Sequence, residues 1–310
     1  MTQPAVPHFA IATFMRVFDV EPKRDVVTLD ELTAGLTRFI VKPKLHRAIV
    51  RDMERIENAY DAWTAGQVTG GRRYSYIARG GREGGEEGAT AARDRLLRKA
   101  KARAKTDLRL WSPALYMEDG RRDSDSVIHV SCLVLDFDSG VSIDEVSADW
   151  SRWYHIIHTT WSHRPSHPKL RLTLPLAHPV HAADWRDVWE WAAARSELEN
   201  DPALKSPAST FALPATRHPE APRDARVHGG ALLSPLAEGL VADGADPPPE
   251  LPPQEASHFR GTDASERTID HPRGAAPVET NEVPTSGFDL FGPPDRPTQT
   301  DWDDEFDDLF

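Results

Sequence analysis

The sequence has almost no cysteine, because Cys132 is the single one among 310 residues. One thiol cannot form an internal disulfide, and it cannot supply the several thiolates of a cysteine-based zinc or iron–sulfur site. A chain without disulfides is typical of a reducing compartment, so we expect a cytoplasmic protein.

Three further patterns are missing. No apolar run approaches the roughly 18–20 residues that a membrane-spanning helix needs, so we expect no membrane contact. The first residues, Met-Thr-Gln-Pro, lack the basic and then apolar pattern of a secretory signal peptide. No Gly-x-x-x-x-Gly-Lys-Ser/Thr segment occurs, which excludes a fused P-loop helicase from this sequence.

The formal net charge of −12 is distributed unevenly. Residues 241–310 carry 17 acidic and 4 basic residues and 11 of the 26 prolines, whereas residues 1–240 are close to neutral. A segment of this composition buries too little apolar surface to offset the entropy lost on ordering. We therefore predict a disordered, acidic, proline-rich tail over residues 239–310.

Helical patterns dominate the N-terminal part of the chain. Residues 28–31 have the sequence of a capping box, and an apolar helical stripe follows at Ile49, Met53, Ile56, Tyr60 and Trp63. The glycine-rich stretch 67–90 predicts a loop, and residues 93–105 predict a basic helix. Residues 71–105 carry 11 basic and 4 acidic residues, which fits either a solvated helix face or a surface that contacts phosphates. We predict an α-rich region over residues 1–107.

From about residue 126, the spacing of apolar residues changes from the helical repeat to the two-residue repeat that is typical of strands. Alternating segments at 127–135, 154–160 and 170–174 predict strands, and residues 146–153 and 185–192 predict helices. This order predicts an α+β sheet domain, which we place at residues 108–238.

Two carboxylates follow the first of these strands. Asp136 and Asp138 are two residues apart, so they project from the same face, and their Cα atoms lie roughly 6.5–7 Å apart. Carboxylates at that separation can jointly hold Mg²⁺ or Mn²⁺. Solvated carboxylates at the end of a strand are the alternative interpretation.

Basic and donor side chains come next along the chain. His163, Lys169 and Arg171 lie on the turn and the strand that follow, where cations can neutralise the oxygens of a metal-bound triphosphate. Asp201 lies further on in an Asp-Pro loop, which a simple turn also explains.

The order of these segments over about residues 108–236 resembles the archaeo-eukaryotic primase superfamily, in particular its plasmid- and phage-associated primase-polymerases. The resemblance implies an RRM-like catalytic sheet and template-directed nucleotidyl transfer on single-stranded DNA, from NTPs or dNTPs, with two divalent metals. It implies metal-binding roles for Asp136, Asp138 and Asp201. It also implies that His163, Lys169 and Arg171 contact the nucleotide.

The sequence departs from that family at two motifs. Trp161 stands two residues before His163, where the family has a small residue. The residues before Asp201 are polar, where the family has an apolar strand.

Aromatic and acidic residues recur in the predicted tail, at Phe288, Leu290 and Phe291 and again at Phe306, Leu309 and Phe310. The second group resembles the acidic tip of bacterial single-stranded-DNA-binding proteins, and the first resembles sliding-clamp binding peptides. We expect these groups to recruit replication proteins such as a helicase, a clamp or a single-stranded-DNA-binding protein. A tail that only solubilises the protein or screens its basic surface is the alternative.

Three functions remain open at this point. The first is a primase-polymerase that makes or extends primers. The second is a non-catalytic, nucleic-acid-binding replication accessory whose tail recruits partners. The third is a metal-dependent nuclease that uses the same carboxylates.

Overall fold

A computed structural model of the chain describes residues 7–242, 245–246 and 268–270. The chain divides into two compact units, 1–274 and 275–310, and the second lies outside the described residues. The strands are β1 (His8–Phe14), β2 (Lys23–Thr28), β3 (Arg38–Val41), β4 (Leu110–Ser112), β5 (Ala114–Tyr116), β6 (Val127–Phe137), β7 (His155–Thr159), β8 (Leu170–His181), β9 (Phe211–Ala212), β10 (Ala215–Thr216), β11 (Ala225–His228) and β12 (Thr268–Asp270). The helices are α1 (Leu29–Thr37), α2 (Pro43–Thr64), α3 (Arg72–Asp107), α4 (Ile143–Asp149) and α5 (Trp185–Arg195), with short 3₁₀ helices at Ser124–Ser126 and Pro202–Lys205.

The central element is a five-stranded antiparallel sheet in the order β11-β7-β8-β6-β5. The succession β6-α4-β7-β8-α5, with β8 between β6 and β7, is that of a β-α-β-β-α-β sheet of the ferredoxin or RRM kind. The two edge strands differ from that pattern. The strand beside β6 is β5, which precedes it in the chain, and β11, the strand of this sheet that comes last in the chain, pairs with β7. The predicted α+β class is confirmed.

The two faces of this sheet pack against different partners. Leu133, Leu135 and Phe137 belong to one buried cluster with residues of α4 and α5, while Cys132 and Val134 belong to another with residues of β1, α1 and β4. Because side chains alternate along a strand, Asp136 shares the face of Val134. The carboxylates of the candidate site therefore point away from α4 and α5.

Two smaller sheets complete the fold, in the orders β2-β1-β4-β9 and β10-β3-β12. Strand β1 pairs with β4, which lies beyond residue 107, so pairing crosses the predicted domain boundary, and that boundary stays a prediction. Part of the segment predicted as a tail belongs to the fold, since β12 pairs with β3 and Val241 and Ala245 are buried. The partner-binding motifs predicted at Phe288–Phe291 and Phe306–Phe310 lie outside the described residues.

The capping box at the start of α1 is confirmed: Thr28 accepts from the backbone of Glu31, whose side chain accepts from the backbone of Thr28. The loop predicted at residues 67–90 is wrong for most of its length, because α3 begins at Arg72 and continues through the glycines. The helix kinks at Gly84 and Gly85, and the latter has a φ of +64°.

The glycines on either side of this kink are contact residues. A Cβ atom at position 80 would lie 2.4 Å from the carbonyl oxygen of Gly88, and one at position 88 would lie 2.3 Å from that of Gly80. The two halves of α3 therefore approach each other at a distance that only glycine permits. A glycine-rich, polar stretch favours a loop by its local pattern, but the close contact of these glycines is tertiary and is not visible in that pattern.

We predict that Gly80→Ala destabilises the protein by about 2 kcal/mol. The added methyl group meets backbone atoms that cannot rotate away, and this overpacking outweighs the gain of about 1 kcal/mol in helix propensity. Gly84→Ala is the matched control, because a Cβ there meets nothing within 4 Å. Urea unfolding of the full chain measures both variants, and equal stabilities would contradict the proposed close packing.

Candidate functional site

Three polar residues form a row across the middle of the five-stranded sheet. Asp136 on β6 lies opposite Arg171 on β8, and Arg171 lies opposite His158 on β7. Residues directly opposite in neighbouring strands place their side chains on the same face. The row is thus set into the face that otherwise packs against β1, α1 and β4.

Arg171 and Asp136 form a buried, bidentate ion pair. The Arg171 Nε lies 2.6 Å from Asp136 Oδ1, and Nη2 lies 2.7 Å from Oδ2. The third nitrogen, Nη1, donates to the carbonyl oxygen of Ala212 at 2.7 Å. The side chains of Arg171 and Asp136 are only 9% and 15% exposed. Because all three guanidinium nitrogens already donate to protein oxygens, Arg171 holds Asp136 in a fixed orientation.

His158 lies buried on β7 beside this pair. Burial, together with the positive charge of Arg171, lowers the pKa of His158 to about 3. The ring is therefore neutral, and its Nδ1 donates to the carbonyl oxygen of Thr159 at 3.0 Å. A neutral ring avoids placing a second buried cation beside Arg171. Its position two residues after Ile156 on the same strand was the available signal.

A second, more accessible pair lies toward the ends of the same strands. Lys169 Nζ contacts Asp138 Oδ2 at 3.1 Å, and the two side chains are 28% and 39% exposed. Asp138 directly follows β6, two residues after Asp136, and Lys169 directly precedes β8, two residues before Arg171. Of the two carboxylates Asp136 and Asp138, Asp138 is consequently the one that a ligand reaches more easily.

Asp201 lies beside Asp136 through its backbone but is engaged elsewhere by its side chain. Its backbone N–H donates to the carbonyl oxygen of Asp136 at 3.0 Å. Its Oδ1 accepts from the N–H of Ala203 at 2.9 Å and caps the 3₁₀ helix Pro202–Lys205. The part of the chain that the structure describes contains no group of three or more His, Cys, Asp or Glu residues arranged to hold a metal ion. The three carboxylates are therefore not gathered around one point in this arrangement.

His163 connects the second pair to the turn that follows β7. Its Nδ1 accepts from the backbone N–H of Lys169 at 3.4 Å, so its proton lies on Nε2. Burial lowers the pKa of His163, while Asp224 raises it and Arg217 lowers it further. The ring is thus a neutral donor next to Lys169. Trp161 stands where the family has a small residue. Its side chain packs against an apolar cluster formed by residues of α2 and α3, at the start of this turn.

Comparison with known proteins supports part of the resemblance described above. Residues 114–200 match the VapE N-terminal domain. This VapE-like segment begins with β5, contains Asp136, Asp138, His163, Lys169 and Arg171, and ends one residue before Asp201.

One similar solved structure is the AEP domain of the primase-polymerase of cyanophage S-2L. It is 14% identical over 44% of this chain and 70% of that chain, with a TM-score of 0.32. A likeness of this extent carries no argument about this chain. No curated protein matches the chain. Among the described residues, no helix is both long and apolar enough to cross a bilayer.

We predict that Arg171→Ala lowers the free energy of unfolding by about 3–5 kcal/mol at neutral pH, because it leaves the buried Asp136 charge uncompensated. Lys169→Ala is the matched control, since a half-exposed pair contributes about 1 kcal/mol or less. Both variants are measured by urea unfolding.

The double variant Asp136→Leu, Arg171→Met separates charge from packing. Replacing both partners by apolar side chains removes the uncompensated charge, so this protein should be more stable than the single Arg171→Ala variant. An Arg171→Ala protein no less stable than Lys169→Ala would show that Asp136 does not depend on its partner.

Proposed function

We propose that this chain is a cytoplasmic nucleotidyltransferase of the primase-polymerase type. In this proposal it makes or extends primers on single-stranded DNA from NTPs or dNTPs, with Mg²⁺ or Mn²⁺. The observation that carries the proposal is the presence of two ion pairs two residues apart, Arg171 with Asp136 and Lys169 with Asp138, with His163 beside Lys169. All five residues belong to the VapE-like segment.

The donor chemistry of the site fits a divalent cation that arrives with a nucleotide. Mg²⁺ in nucleotide sites commonly takes one or two protein carboxylates and completes its shell with phosphate oxygens and water. Asp138 suits this role because it is 39% exposed and its partner Lys169 can exchange. Asp136 is the second candidate ligand, and Asp201 becomes a third only if its side chain gives up the cap on Ala203. A bound cation would supply positive charge at the triphosphate and lower the pKa of the attacking hydroxyl.

The chain's own residues have separate tasks in this proposal. Lys169 binds a phosphate oxygen when it leaves Asp138, and the Nε2–H of His163 donates to another. Arg171 acts as a positioning residue, which modifies the nucleotide contact implied by the resemblance, because its three nitrogens already bind Asp136 and Ala212. It keeps the Asp136 carboxylate oriented without touching the substrate.

One observation favours a second function, that of a non-catalytic nucleic-acid-binding accessory. The guanidinium of Arg171 already occupies both oxygens of Asp136, where a metal would bind in the enzyme. A chain that has exchanged a metal for a permanent internal cation would bind nucleotides and DNA without joining them.

We predict that Asp138→Asn reduces primer synthesis on circular single-stranded DNA by about 100-fold or more. Removing a metal carboxylate withdraws several kcal/mol of transition-state stabilisation, and each 1.36 kcal/mol is about a factor of ten in rate. The double variant Asp136→Ala, Asp138→Ala should abolish synthesis. Asp187→Asn, on the exposed side of α5, is the control.

The outcomes separate the three functions. DNA binding by the unaltered chain without any synthesis, with either metal and either kind of nucleotide, would favour the accessory function. Strand cleavage in the absence of nucleotides would favour the nuclease. Full synthesis by Asp138→Asn would refute the assigned role of that carboxylate.

We also propose that the tail recruits a replication protein through its two aromatic and acidic groups. Acidic residues attract a basic groove from a distance, and the side chains of Phe306, Leu309 and Phe310 fill apolar pockets within it. We predict that a peptide of residues 296–310 binds a single-stranded-DNA-binding protein, clamp or helicase with a Kd of about 1 μM. A peptide without Leu309 and Phe310 is the control in the same titration. Equal binding of the two peptides would contradict the anchoring role.

A further inference from the structure

Five basic side chains converge from four separate segments of the chain, and we name them the basic cluster: His46 of α2, Lys101 of α3, Arg164 in the turn after β7, and Arg217 and His218 after β10. None of them belongs to the site described above. The rings of His46 and His218 lie 6.2 Å apart.

Contacts with the backbone of the turn after β7 position Arg217 of the cluster. Arg217 Nη2 donates to the carbonyl oxygens of Trp161 and His163, both at 3.4 Å, which ties it to the turn that carries Arg164. On the other side of that turn, Trp161 packs against the apolar cluster that contains Ala100, next to Lys101. These contacts bring the segments that carry Lys101, Arg164 and Arg217 together.

The charges of the cluster oppose one another. Loss of water around the amine lowers the pKa of Lys101, and Arg164 lowers it further, although Asp94 and Glu57 act in the opposite direction. Burial and then Arg164 lower the pKa of Arg217, and burial, Arg217 and His218 lower that of His46. Positive groups held close together create a local positive potential, which favours the approach of an anion such as a phosphate.

The cluster begins where the carboxylate site ends. His163 connects the two, because its ring accepts a hydrogen bond from the backbone of Lys169 while its carbonyl oxygen accepts one from Arg217. A triphosphate concentrates its charge at one point, whereas a polynucleotide carries charges along its length. The cations Lys101, Arg164 and Arg217, supplied by three separate segments, match the second pattern.

We propose that the basic cluster binds the phosphate backbone of single-stranded DNA that extends from the carboxylate site past His163. The direction of the strand rests on the proposed function, but the binding itself needs neither a metal nor catalysis.

The test measures binding of the full chain to a fluorescent oligodeoxythymidine by anisotropy, in EDTA and without nucleotides, over a series of salt concentrations. Each cation that neutralises a phosphate of a single strand contributes about −0.7 to the slope of log Kobs against log salt. We expect Lys101→Ala and Arg164→Ala each to make the slope shallower by about 0.7. In the double variant, the loss of DNA affinity between about 50 and 200 mM salt should be about 7-fold smaller than in the unaltered chain.

Arg186→Ala is the matched control, because Arg186 is 76% exposed and lies on α5, which packs against the opposite face of the sheet. Lys101→Ala keeps a good helix former on α3, so it stays informative if Arg164→Ala folds poorly. A salt slope unchanged in both cluster variants, or reduced equally by Arg186→Ala, would overturn the proposal. Loss of binding to free ATP in both cluster variants, with the DNA slope unchanged, would also overturn it and assign a triphosphate instead.

The assay is independent of the proposed activity. If the chain makes no primers but shows the expected salt slopes, the proposed strand site is supported and the proposed enzymatic function is refuted. If the chain makes primers but the salt slopes of the two cluster variants are unchanged, the proposed function is supported and the proposed strand site is refuted.

Discussion

The candidate site depends on the ion pair between Arg171 and Asp136. A guanidinium that is almost fully buried requires a counter-charge, and Asp136 provides one with both oxygens. The third donor of Arg171 reaches Ala212 of β9, which belongs to a different sheet. The interaction that orients the carboxylate therefore also joins the five-stranded sheet to the four-stranded sheet. Packing and site geometry cannot change independently here.

Around this pair the fold keeps the site's polar groups in a graded order of exposure. Arg171 and Asp136 lie in the interior, and Asp138 and Lys169 lie at the rim. His163 then continues toward the turn and its basic neighbours. The interior pair sets positions and the rim pair is available to ligands, because only charges near solvent can exchange partners without a large desolvation cost.

Local patterns predicted the parts of this arrangement that depend on period and capping. The two-residue repeat of a strand places Asp136 on the face of Val134, and the start of α1 follows from Thr28 and Glu31. The pairing of Arg171 with Asp136 depends on the register of β6 against β8, which joins residues 35 positions apart. The same holds for the approach of Gly80 to Gly88 and for the burial of His158. Each is decided by segments that meet only in the folded chain.

The first row also determines how the site responds to an incoming cation. Asp136 and Arg171 cancel each other's charge, and His158 is neutral because its pKa is about 3. The row as a whole therefore carries no net charge, and Asp138 is itself balanced by Lys169. A divalent cation alone meets little net attraction, whereas the phosphates of a nucleotide supply both a negative charge and a competitor for Lys169. If the chain has the proposed function, thermodynamic linkage means that each of the two ligands strengthens the binding of the other, and metal and nucleotide would bind this site cooperatively.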